Sequence, residues 1–147
     1  MDGYILERTE NAWVNYISSS LTSSYSSSLS YLRGTEFVGQ DGKSGPSVIV
    51  MCPGCEEVIW GSGIYRTQAQ ITVAVPFENT GSQAWRNLLI TSMSQVILGN
   101  ENILTSLSQS TQRTRFIDAT FGGQQNSFAG DTLLTVYSID MIVKQTA

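Results

Sequence analysis

Thirteen residues in the middle of the chain, Ile-Tyr-Arg-Thr-Gln-Ala-Gln-Ile-Thr-Val-Ala-Val-Pro at 64–76, alternate in polarity. Successive side chains of an extended chain point to opposite faces. Tyr65, Thr67, Ala69, Ile71, Val73 and Val75 therefore share one face, and Arg66, Gln68, Gln70, Thr72 and Ala74 share the other. This is the pattern of a long half-buried β-strand. Pro76, which has no N–H to give to a ladder, stops it. The apolar face of such a strand has to be covered, and the rest of the chain must supply the cover.

A second long alternation closes the chain. Between about Thr132 and Lys144, Leu133, Thr135, Tyr137, Ile139, Met141 and Val143 lie on one face, and Leu134, Val136, Ser138, Asp140 and Ile142 on the other. The run Ser47-Val-Ile-Val-Met-Cys52 reads as a strand buried on both faces. Pro53-Gly54 then predicts a turn, with a short return strand over Glu56–Trp60. Arg113–Phe121 reads as a strand with Arg113, Arg115, Ile117, Ala119 and Phe121 on one face, and Gly122–Gly130 as a glycine- and glutamine-rich loop. Gly34–Pro46 reads as a loop, or as a short strand around Glu36–Val38 followed by a loop.

Cover comes from two helical stripes. Ile5, Leu6, Ala12, Trp13, Tyr16, Ile17 and Leu21 recur at three- and four-residue spacing, as on one side of an α-helix. Serine competes for backbone hydrogen bonds, so this helix is expected to end or fray in the surface tract Ser18–Ser30. Trp85, Leu88, Leu89, Met93, Val96 and Ile97 form the second stripe, with Thr80 or Ser82 as its N-cap and Gly99-Asn100 as its stop. A shorter helical piece is expected around Asn102–Leu107. The expected architecture is one α+β domain over 1–147, a mainly antiparallel sheet covered on one face by two α-helices in a two-layer sandwich.

Composition narrows the chemistry. The chain of 147 residues has a net charge of −4 and no histidine. The acidic balance argues against gripping nucleic acid by its phosphates, and the missing imidazole removes the commonest general base and transition-metal ligand. Cys52-Pro-Gly-Cys55 resembles a thiol-exchange pair, but Glu56-Glu57 beside it disfavours a thiolate and no helix follows. Two cysteines without histidine do not complete a zinc site. They read as reduced thiols in a tight turn. Glu56, Glu57 and Glu78 form no distinctive carboxylate pair, and neither Gly61-Ser-Gly63 nor Gly122-Gly123 opens a helix as a phosphate loop does. Lys43 and Lys144 read as solvated. Catalytic, cofactor and metal residues are therefore expected to be none. No N-terminal leader pattern and no apolar run of the ~20 residues that cross a bilayer stand out, so a soluble chain made in a cytoplasm is expected.

The candidates for contact with other chains are Trp60, at a strand end beside Gly61, and the polar residues Arg66, Gln68 and Gln70 of the long strand. Arg113 and Arg115 are a small basic pair suited to a phosphate or a neighbouring carboxylate, or simply to an exposed edge. Gln124, Gln125, Asn126 and Phe128 lie in the expected loop. Trp13 and Trp85 sit on the helical stripes and belong to the core.

In element order the chain resembles the tail terminator, or tail-completion, proteins of long-tailed bacteriophages and their neck-protein relatives. The resemblance runs through the N-terminal helix with Trp13, Pro46-Ser-Val-Ile-Val-Met51, Cys55-Glu-Glu-Val and Gly61-Ser-Gly-Ile-Tyr-Arg66. It continues through the Thr67–Val75 strand, the helix from Trp85 to Leu98 and the Leu133–Val143 strand. It implies a structural virion protein that forms a homo-oligomeric ring, often a hexamer, capping the tail tube and joining it to the head connector. Genomic DNA would pass through the lumen without specific contacts, no membrane would be involved, and the two long strands with the Gly39–Pro46 and Gly122–Gly130 loops would meet neighbouring subunits or the tube. On that reading, deleting Gln124–Ala129 leaves a folded monomer that fails to join tails to heads. Two alternatives are another neck component, a stopper or adaptor, and a small enzyme or ligand-binding α+β domain with a pocket between helix and sheet.

Overall fold

The structure, a computed structural model, describes residues 3–21, 29–34, 46–76, 80–99, 101–109 and 114–145. Among them are three helices and six strands, in the order α1 (Gly3–Ser20), β1 (Ser30–Arg33), β2 (Ser47–Met51), β3 (Cys55–Glu57), β4 (Ile64–Pro76), α2 (Thr80–Leu98), α3 (Ile103–Gln109), β5 (Thr114–Ala129) and β6 (Thr132–Gln145). The α+β class is as expected. The sheet is mixed, because β1 runs parallel to β2 while the other pairs are antiparallel.

The strand order is β1-β2-β4-β6-β5, with β3 also on β4. At its centre β4 and β6 pair without interruption from Ile64↔Lys144 to Pro76↔Thr132. Every residue assigned to the inner face of these two strands is buried, from Tyr65 to Val75 and from Leu133 to Val143. Trp13, Tyr16 and Ile17 of α1 and Leu89, Met93 and Ile97 of α2 join the same core. Trp13 Nε1 donates to Met141 Sδ at 3.2 Å, and Tyr16 Oη donates to the Val96 carbonyl at 2.5 Å, so α1 is tied to both sheet and α2. Leu88, placed on the stripe from spacing, is instead exposed. The buried row of α2 is the narrower i, i+4 series Leu89, Met93 and Ile97.

Three expectations are corrected. First, Pro53-Gly54 does not reverse the chain. Met51 pairs with Gln70 and Cys55 with Thr67, so residues 52–54 oppose only Gln68 and Ala69. β2 and β3 are therefore one strand direction broken by a β-bulge, with one extra residue. Proline suits the place, because a bulge needs no donor there. Two backbone groups of the bulge find side-chain partners: Cys52 N–H donates to Glu10 Oε2 at 2.9 Å, and Thr67 Oγ1 donates to the Gly54 carbonyl at 2.8 Å. This accounts for a glutamate and a threonine buried among apolar neighbours.

Second, 122–129 is no loop. β5 continues to Ala129, paired with Thr132 across a two-residue turn in which Gly130 has φ of +61°. Third, the face assigned to Arg113, Arg115, Ile117, Ala119 and Phe121 is broken: of its described residues only Ala119 and Phe121 share a side, with Arg115 on the other side and Ile117 the extra residue of a bulge. Register shifts between Phe116 and Asp118 and between Phe121 and Gly123 change which residues face inward. The helix-facing row is Phe116, Ala119, Phe121, Gln124, Asn126 and Phe128, opposite Val143, Met141, Ile139, Tyr137, Thr135 and Leu133. The expected helix end in the serine tract is observed at Ser20, and Ser30–Arg33 forms the edge strand β1. The expected Glu36–Val38 strand, the loop at 39–45 and the N-cap side chains of α2 lie outside the described residues.

Candidate functional site

Two surfaces stand out, at opposite ends of the sheet. β4 alone spans ~40 Å at the usual rise per residue, and its ends mark the two positions.

The first is the turn between β3 and β4. Val58, Ile59 and Trp60 are 43, 62 and 92% exposed, three consecutive apolar side chains in water. The backbone beneath them is held. The two oxygens of the Glu57 carboxylate accept from the N–H groups of Gly61, at 3.0 Å, and Gly63, at 3.1 Å. Gly61 and Gly63 have φ of +81° and +73°, which a side chain at Cβ would strain. Ser62 closes the turn, its hydroxyl donating to the Ile59 carbonyl at 2.5 Å and accepting from Ile64 N–H at 3.2 Å. Val58 N–H donates to the Ile64 carbonyl at 2.8 Å, and Gln145 N–H to the Gly63 carbonyl at 2.9 Å. An ordered turn that offers its largest apolar residue to solvent has the form of a contact surface.

The second surface is the far half of β5. Phe121 and Phe128 are 40 and 73% exposed although they lie on the helix-facing side of the sheet. Asn126, between them, is engaged inside the chain: its Oδ1 accepts from Thr135 Oγ1 at 2.9 Å, and Arg86 donates to the same hydroxyl at 3.4 Å. Phe121 packs on Tyr137, whose hydroxyl meets Ser94 Oγ at 2.9 Å. Gln124 and Gln125 are exposed on opposite faces of the strand.

Arg66, Gln68 and Gln70 lie on the face away from the helices. Gln70 donates to Gln68 at 3.1 Å, and Gln68 to Asp140 at 3.3 Å, so the two glutamines form part of an internal ladder across β4 and β6. Arg66 is exposed opposite Glu56. Arg115 is exposed directly opposite Lys144, and Arg113 lies outside the described residues. The structure thus places Trp60, Arg66 and Arg115 towards one end of the sheet and Gln124, Gln125, Asn126 and Phe128 towards the other. Spacing missed Val58, Ile59, the Glu57 bracket and the Arg115–Lys144 pair. The Val-Ile-Trp run ahead of Gly61 was the available signal, but it read equally well as a strand.

A groove of about 740 Å³ opens beside the β5 edge, lined by Ile64, Leu104, Thr105, Ser108, Arg115, Phe116, Ile117 and Lys144. Its wall is fixed where Ser108 Oγ accepts from Phe116 N–H at 3.0 Å, tying α3 to β5. At the bulge no disulfide joins Cys52 and Cys55. Burial, chiefly, and the Glu10 carboxylate push the Cys52 thiol well above its ordinary value of 9.0, so it is held as an unreactive thiol. Among the described residues no three of His, Cys, Asp and Glu gather where they could hold a metal ion, and no helix is long and apolar enough to cross a membrane. No protein-family model matches the chain, and no curated protein matches it either.

Proposed function

We propose that this chain is a structural virion protein of the tail-completion type, whose copies form a ring, typically a hexamer, that caps a tail tube and joins it to the head connector. The observation that carries the reading is the pair of apolar surfaces on ordered hairpins at opposite ends of one rigid sheet. A subunit of a ring has to meet two different neighbours through two different patches, and a subunit that also sits on a tube needs further contact area. The resemblance in element order supplies the biological setting. The net charge of −4 suits a lumen through which DNA slides without being held.

Disrupting the reading frame in the genome that carries it, then imaging the lysate by electron microscopy, tests the role. Separate heads and unjoined tails are expected. Intact particles in normal number would overturn the proposal.

A further inference from the structure

We infer that the Val58–Trp60 turn of one copy seats in the groove between α3 and β5 of a second copy, with Trp60 as its anchor. The inference shares with the proposed role only the premise that copies of the chain associate.

The groove has the chemistry to receive that turn. Ile64, Leu104, Phe116 and Ile117 give it apolar walls, and Ile117, the extra residue of the first β5 bulge, is 43% exposed there. At its mouth Arg115 and Lys144 stand directly opposite each other across the ladder. Like charges in that position repel, and among the described residues neither makes an ion pair. Two cations set side by side in an acidic chain, with no carboxylate partner among the described residues, fit an acidic visitor. The turn brings one: Glu56 and Glu57 flank it against the single Arg66, so the hairpin is net negative where the groove is net positive.

Size decides how tight the contact can be. A tryptophan buries about 150–250 Å², and Ile59 and Val58 extend this. One seated turn stays below the ~800 Å² per partner of a stable interface. A single contact is therefore weak. Association becomes firm only where each copy both inserts a turn and receives one, so assembly is steeply dependent on concentration.

The test is weight-average mass from sedimentation against concentration, by analytical ultracentrifugation, for the full chain, for Trp60→Ser, and for Arg115→Glu with Lys144→Glu. Circular dichroism first confirms that all three are folded. The unchanged chain is expected to associate from low to high micromolar concentration. Each variant should associate on the order of 30-fold more weakly, the loss expected of a hot-spot residue. An equimolar mixture of the two variants, one keeping its groove and the other its turn, can make one contact per pair, and should form one-to-one pairs only at the top of the concentration range, more weakly than the unchanged chain associates but more strongly than either variant alone. Tryptophan emission should shift to the blue on association in the unchanged chain and stay put in Trp60→Ser. An unchanged chain that remains monomeric throughout, or variants that associate as it does, would overturn the inference. The second of these results leaves the ring proposal standing on some other contact, and the genetic test above is independent of both.

Discussion

The two hairpins at the ends of the sheet solve opposite problems. The β3–β4 turn keeps its backbone fixed with a carboxylate and two glycines and leaves its side chains free of the fold. The β5–β6 hairpin does the reverse: a minimal turn, with order supplied by side chains that pack and bond along its length. A surface residue on the first can change without troubling the fold, whereas the second is part of the core.

The largest expected effect breaks this contrast through its two aromatics. Tyr137→Ala removes a fully buried ring from beneath β5 and should lower unfolding free energy by about 3–5 kcal/mol in urea titration. The matching Trp60→Ala should change monomer stability by no more than ~0.5 kcal/mol. Similar losses at both sites would show that the turn belongs to the core after all.

Next comes Glu57→Ala, which removes the acceptor for Gly61 and Gly63 N–H groups. Hydrogen bonds to a charged group support a loss of about 2 kcal/mol, concentrated at the turn. Faster amide exchange at Gly61 and Gly63, with the β4–β6 ladder still protected, is the expected signature. Uniform loss of protection would mean that the bracket holds more than the turn.

Alkaline stability probes the bulge that leads into the first hairpin. The folded Cys52 thiol keeps its proton to higher pH than its ordinary value of 9.0. Above that value the unfolded chain binds fewer protons than the folded one, so stability is full below pH 9 and falls as pH rises, by at most about 1.4 kcal/mol per unit from this group. Cys52→Ala should flatten that limb, measured as the urea midpoint between pH 8 and 10. An unchanged slope would remove Cys52 as its source. The smallest effect is Gly130→Ala, which places a side chain at φ of +61° in otherwise open space and should cost about 1 kcal/mol of unfolding free energy. No cost there would mean that the two-residue turn adapts freely.

Gln124–Ala129 are not a removable loop, because they pair with Thr132–Tyr137. Removing them would take away ladder and core together.

Alternation alone determined the centre of this protein. A period of two over β4 and β6 leaves one solution for which face is buried, because a shift by one residue would put every apolar side chain in water. The helical stripe of α1 was equally legible, since Ile5, Trp13 and Ile17 repeat at the helical period. The bulges were decided only in three dimensions. Each adds one residue against a partner strand that sequence inspection does not supply, so the bulge at 52–54 looked like a reversal of the chain and the strand at 122–129 like a loop. The contact surfaces share that origin. Trp60 is exposed in a turn and Tyr137 buried in a strand, though both sit in stretches that read as extended, because burial depends on what lies across the sheet and above it. Local pattern determines which way a side chain points; only packing decides whether anything is there to meet it.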